Sequence, residues 1–376
     1  MNPRPQYNLL DIFYAPARAL SAKQILLVTA ALIVGLLVFD FFRYLAFLEQ
    51  RENIGAVISL YGFFPFDWPD TGSVLAKLMV AIGIGAGLFV IMLGLLAVSS
   101  FHIEAVRGNP FMTLRQASRF TRSRIKQVFL SELAVVVFLL VIVFLFAILG
   151  LITRIPILGE LLFAVLLVIP NFIIAIFAVF IIFVLSASVL VLPAVAAAER
   201  RGESFGAILE TFSTIIRQPA RWLGYTALSA ALAKLASFVF AYFAFRALQF
   251  VVWSAGIGGG DKIGSLVGSG MSHLPVNSRL TDFMFNLFPG ARWSFSVDRW
   301  ASGDIGIAGY LISVMLFLIF ASIVAYALCV IAAGQAYTYV TIRKLKDGHN
   351  IALEKSMFFE DEHINPEIDP AKNNPA

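Results

Sequence analysis

Four ionisable residues interrupt strongly apolar runs: Asp40 and Arg43 in one, Lys234 and Arg246 in another. A charge held in hydrocarbon is costly, so such residues are the first place to look for chemistry if those runs cross a membrane. Asp40 and Arg43 lie one helical turn apart and can pair on one face. Lys234 falls near the middle of its run, beside the small residues Ala230, Ala231 and Ser237, and Arg246 lies toward the run's far end. A functional reading joins Asp40 and Lys234 in a proton or ion path. A structural reading makes Asp40 and Arg43 a fixed pair and lets Arg246, Glu132 and Lys77 reach the interfaces. Pro170-Asn171 offers one break in a helix. Transporters usually carry two such breaks in corresponding halves.

Other chemistry is sparse. His102, His273, His349 and His363 are scattered, and no metal-binding spacing joins them. The lone cysteine, Cys329, allows no disulfide within the chain. Gly256–Gly260 is read as a loop, because no strand precedes it and no Gly-Lys-Ser/Thr follows. Ser269, between two glycines, lacks the strand-turn-helix context of a nucleophile elbow. The sequence thus points to no catalytic set, no metal and no cofactor. Gly83, Gly87 and Gly94 form a small-residue face of the kind that lets two helices approach closely.

These residues must be positioned by membrane helices. Of the 376 residues 60% are apolar and only 14% charged, outside the range of soluble domains. A span needs about 20 apolar residues. Six segments qualify, near 25–47, 74–99, 128–152, 161–192, 222–253 and 307–337. The first twenty residues hold Pro3, Pro5, Asp11 and Pro16 and no apolar core, so the first span is expected to act as an uncleaved anchor. The fold class is all-α: a polytopic bundle of about six transmembrane helices with amphipathic interfacial helices on the cytoplasmic side. Residues 1–24 form a cytoplasmic amphipathic segment, 25–343 the six-span domain with an outer link at 254–304, and 344–376 a flexible acidic cytoplasmic tail.

Charge gives the orientation. The net charge is +5, and the basic residues cluster in alternate links. Arg107, Arg115, Arg119, Arg122, Arg124 and Lys126 follow the second span. Arg200, Arg201, Arg217 and Arg221 follow the fourth, and Arg343, Lys344 and Lys346 the sixth. The link after the first span is acidic instead, with Glu49, Glu52, Asp67 and Asp70. The positive-inside rule then puts both termini of this multi-pass protein in the cytoplasm. Arg115, Arg119, Arg122 and Lys126 share one helical face. Residues 204–218 show an apolar stripe of Phe205, Ile208, Leu209, Phe212, Ile215 and Ile216, capped by Ser204 and ended by Pro219. Both segments read as helices lying along the inner leaflet, where Arg115, Arg119, Arg122, Lys126, Arg217 and Arg221 meet anionic headgroups. The two links also resemble each other, Arg107-Gly108 with Phe111 matching Arg201-Gly202 with Phe205, so a parallel duplication is one reading. In the outer link Trp293, Phe295 and Trp300 beside Arg292 and Arg299 read as interfacial anchors, after a flexible glycine-rich first half.

The run Leu192-Pro193-Ala194 through Glu199-Arg200-Arg201-Gly202, and the ending Gly334-Gln335-Ala336-Tyr337 through Arg343-Lys344-Leu345-Lys346-Asp347-Gly348, resemble a broad group of bacterial six-span proteins. That group is similar to the membrane domain attached to some glycerophosphodiester phosphodiesterases. The resemblance implies an inner-membrane, non-catalytic helical bundle and carries over no catalytic residue. The expected function is a non-enzymatic membrane subunit or scaffold that packs against lipids, other membrane proteins or itself, with no nucleic-acid partner. The alternative is a transporter or lipid-handling protein using Lys234 and the Pro170 break, and a membrane enzyme is the third reading.

Overall fold

A computed structural model of the chain describes residues 5–61, 63–65, 73–272, 274 and 307–358. Among these residues the regular elements are helical. In order they are α1 (Leu9–Phe13), α2 (Ala15–Ala19), α3 (Ala22–Glu49), α4 (Ile54–Tyr61), α5 (Val74–Val106), α6 (Leu114–Ile152), α7 (Leu158–Leu162), a π turn (Phe163–Leu167), α8 (Val168–Ala198), α9 (Ser204–Arg217), α10 (Pro219–Gly259), α11 (Asp261–Ser272) and α12 (Ile307–Asp347). A short 3₁₀ turn, Ile351–Leu353, follows. Six helices are long and apolar enough to cross a membrane: Ala22–Glu49, Val74–Val106, Leu114–Arg154, Leu158–Ala198, Pro219–Gly259 and Ile307–Asp347. The chain is an all-α, multi-pass membrane protein. Lipid offers the backbone no hydrogen-bond partners, so an apolar run must satisfy its amides internally, as a helix does.

The helices overrun the apolar segments. α10 and α12 each have 41 residues, about 60 Å at 1.5 Å per residue, roughly twice the hydrocarbon thickness. The expected interfacial helix at 114–126 is not a separate element. It continues into the third span as α6, because no proline or glycine interrupts residues 114–149. Its start is fixed by a capping box: Thr113 Oγ1 accepts from Gln116 N at 3.2 Å, and Gln116 Oε1 accepts from Thr113 N at 2.8 Å. Thr113→Ala should therefore cost about 1 kcal/mol, measurable as a lower thermal midpoint in detergent.

Two other local expectations change. Glu203, not Ser204, is the residue before α9. Gly256–Gly259 belong to α10, and only Gly260 (φ +58°) leaves the helix. Its amide bonds back to Gly256 O at 2.9 Å, a left-handed helix end of the kind glycine favours. The first half of the outer link is thus helical, through α11. Trp293, Phe295, Trp300, Arg292, Arg299, His273, Asp67, Asp70 and the acidic residues after 359 lie outside the described residues. Pro170 sits in the first turn of α8, and the π turn immediately precedes it. A widened turn relieves the clash a proline ring makes with the carbonyl four residues back.

The chain divides into two compact units. One comprises residues to Ile12, Leu96–Thr226 and Gly334 onward. In it α6, α8 and α9 pack on one another. The C-terminal run of α8, Val191–Ala198, is wholly buried because its small side chains admit close neighbours. The other comprises Phe13–Leu95 and Ala227–Ala333. There Ala241, Phe245 and Ile323 make a core with Phe238, Phe240, Ile319 and Phe320. α3 meets α5 through facing glycines: a Cβ on Gly87 would lie 2.9 Å from Gly35 O, and one on Gly35 would lie 2.9 Å from Gly87 O. On the same seam, a Cβ on Gly83 would lie 2.7 Å from Phe42 Cβ, and one on Gly94 would lie 2.6 Å from Ala31 Cβ.

Candidate functional site

The densest polar chemistry is a buried ionic cluster in the first unit. It begins where α5 ends. Gly108 turns the chain at φ +92°, and Asn109 N reaches back to Glu104 O at 2.8 Å. This end motif aims Glu104 and Arg107, one turn apart, to the same side. Both side chains are fully buried, 3.0 Å from each other. Arg107 also donates to Ala198 O at 2.5 Å and to Glu354 Oε2, from Nε at 3.0 Å and from Nη2 at 2.5 Å. The second Glu104 oxygen accepts from Ser356 Oγ at 2.5 Å, and Asn109 donates to Ser356 at 3.2 Å. His349 Nε2 lies 2.6 Å from Glu354 Oε1, and Arg200 lies 3.6 Å from Glu354 and donates to Lys355 O. Residues 349–356 are therefore stitched to α5 and to the end of α8. This stretch, read as the start of a flexible tail, has Ile351 and Ser356 buried.

A second cluster adjoins it in the same unit. Arg124 donates to Glu199 O at 2.6 Å and to Arg200 O at 2.8 Å, and stacks over Phe120 at 5.3 Å. Gln127 donates to the Glu199 carboxylate and Ser131 to Ser204 O at 3.0 Å. Gly202 (φ +72°) leaves the Arg124 guanidinium the space that a Cβ would occupy. Deeper along α6, Ser188 donates to Glu132 at 2.6 Å. On α12, Lys346 binds Glu210 at 2.9 Å and Ser213 at 3.0 Å, and Arg343 donates to Tyr339.

Two carboxyls outside the spans, Glu199 and Glu354, respond oppositely to this setting. Burial pushes Glu199 up, with the Arg124 charge opposing. Burial also acts to raise Glu354, but hydrogen bonding from His349 and the Arg107 guanidinium outweigh it and hold the carboxyl below its usual value. A carboxyl held low adds stability above its ordinary value of about 4.3 and loses it as pH falls through the lowered value. A carboxyl held high does the reverse, adding stability below the ordinary value and losing it as pH rises through the raised one. Protease cleavage within 349–358 should stay constant from pH 7 to about 5 and rise below about 4, while cleavage near Glu199 should not follow it.

The residues singled out from sequence distribute differently. Arg115, Arg119, Arg122, Lys126, Arg217 and Arg221 are all exposed, whereas Arg124 is buried. Arg217 lies 3.9 Å from Asp347, and Arg221 donates to Gln218 at 2.6 Å. Asp40 and Arg43 are both buried in α3. The Asp40 oxygens have no hydrogen-bond partner among the described residues, and the Arg43 guanidinium lies over Phe39 and Phe47 at 5.3 and 6.0 Å. Lys234 makes no hydrogen bond to the Asp40 oxygens; it lies on the exposed side of α10, as does Arg246, which bonds Gln249 at 2.9 Å and stacks on Tyr242 at 5.3 Å. The π turn and Pro170 lie among exposed apolar residues.

Sequence reasoning missed Glu104, Arg107, Gln127, Glu199, Glu354 and Ser356 as a set. One signal existed. Arg124 falls at helical spacing with Ala117, Phe120, Gln127, Val128 and Ser131, the buried face of α6, and off the face of its four exposed basic neighbours. No group of three or more His, Cys, Asp or Glu side chains is placed to hold a metal among the described residues. Comparison with protein-family models, curated proteins and solved structures gives no match.

Proposed function

We propose that the chain is a non-enzymatic membrane subunit or scaffold of a bacterial inner membrane that presents the α6–α8 hairpin to other membrane proteins or to a second copy. The observation that carries this reading is how little of that hairpin the chain itself covers. The most apolar window of α6 is 11% buried, the lowest of the six spans, and that of α8 22%, against 39% for α12. Val141, Phe144, Phe172 and Ile176 all stand exposed. The ionic cluster fits the same role, since each charge in it is matched by a fixed partner and the cluster holds the ends of α5, α8 and the segment after α12 in one arrangement. Both termini are cytoplasmic in this proposal, which rests on the exposed basic residues of α6, α9 and α10.

A photo-crosslinking residue at Val141 or Phe172, activated in native membranes, tests it. Protein adducts of discrete mass, matched by stoichiometric partners or a homo-oligomer in native mass analysis, are the expected result. Lipid adducts alone with a monomer would overturn the reading. Weight would then move to transport or lipid handling. The π turn beside Pro170 favours that second reading, because such turns concentrate at functional sites, and Lys234→Met would be assayed next.

A further inference from the structure

In the second unit an apolar groove of about 690 Å³ runs along the first half of α3. Its walls include Ile25, Leu26, Ala30 and Ile33 on one side and Phe240 and Leu318 on the other. From Leu20 to Ile33 it follows about 20 Å of chain at 1.5 Å per helical residue, enough to cover one leaflet of roughly 15 Å. Its mouth differs in character. There the 28-residue helix α3 begins, Ser21 makes no side-chain cap bond, and the exposed Lys23 follows in the first turn. Arg18, half-buried, lies in α2 three residues before Ser21, over the Tyr14 ring at 5.8 Å. Two cationic side chains beside the positive dipole end of α3 favour a phosphate. A groove apolar along its length and cationic at one end matches an amphiphile with a single anionic head.

We propose that this groove is a specific site for one anionic phospholipid, with an acyl chain along Leu26, Ala30 and Ile33 and its phosphate at Ser21, Lys23 and Arg18. The cytoplasmic leaflet, where the proposed orientation puts this mouth, is the anionic one. The site is independent of the α6–α8 hairpin, and its failure would leave the scaffold reading untouched.

The test is native mass spectrometry of the full chain taken from vesicles of equal phosphatidylglycerol and phosphatidylcholine. The wild type should retain one phosphatidylglycerol per chain after general lipid has been stripped. Ala30→Trp, at an exposed position in the groove, should lose it, whereas Ala247→Trp, at an exposed position of α10 outside the groove, should keep it. Lys23→Glu should lower the preference for phosphatidylglycerol about fivefold or more, since a basic residue near an anionic headgroup is worth roughly 1 kcal/mol. Retention indifferent to Ala30→Trp, or equal loss in Ala247→Trp, would overturn the site. Should Ala30→Trp fail to fold, the Lys23→Glu preference decides, and an unchanged ratio overturns the proposal.

Discussion

Arg107→Met is expected to destabilise the protein by about 3–5 kcal/mol, the range found when one partner of a buried ion pair is removed. The cost comes from what the arginine leaves behind. Glu104 is fully buried beside it and, among the described residues, keeps Ser356 alone as a side-chain partner. Glu354 loses its two bonds from Arg107, and Ala198 O loses its donor. Arg107→Lys should recover only part of this, because an ammonium cannot reproduce the planar fork that serves three acceptors at once. The thermal midpoint in detergent checks the first claim. Protease cleavage within 349–358 checks the second, and should rise in Arg107→Met while Arg201→Met, at an exposed position, changes neither.

Gly87→Leu should cost about 3 kcal/mol or more, at the upper end of overpacking, because the atom in the way is a backbone oxygen on the facing helix and cannot step aside. Gly85 lies two residues away with no neighbour within 4 Å of the place its Cβ would take. Gly85→Leu should therefore not lower the thermal midpoint, and gains up to about 1 kcal/mol from replacing a glycine in the middle of a helix. The contrast tests the α3–α5 seam directly. The glycine face is occupied within the chain, so enlarging it probes folding before it probes assembly.

The spans were legible because each is a long apolar run, and six such runs with alternating basic links leave few arrangements open. Their ends were not. Hydropathy stops at Ser99, Leu192 and Tyr337, while the helices continue to Val106, Ala198 and Asp347. Polar residues there remain helical because other parts of the chain bury and pair them. The glycines of α5 were legible as a close-packing face, but which helix they meet depends on topology. The ionic cluster was the least legible. Glu104 and Arg107 are near neighbours, but Glu354 and Ser356 lie about 250 positions along the chain, and no local pattern marks such a pairing. Gly256–Gly259 misled for the opposite reason. Each glycine costs a helix about 1 kcal/mol, yet α10 carries them at its end, where the chain terminates the helix anyway at Gly260.

The stitch between α5 and residues 349–356 also sets an order in time. Glu104 and Arg107 enter the membrane-bound nascent chain early, but Glu354 and Ser356 are 247 and 252 positions away from the partners they bond. At about 5–20 residues per second, ribosomes need roughly 10–50 s to cover that distance. Through that interval the first half of the protein carries an ion pair whose remaining valences are open. A chain that stops before residue 354 never closes them. A finished copy is therefore expected to resist unfolding and proteolysis better than a chain truncated before residue 354.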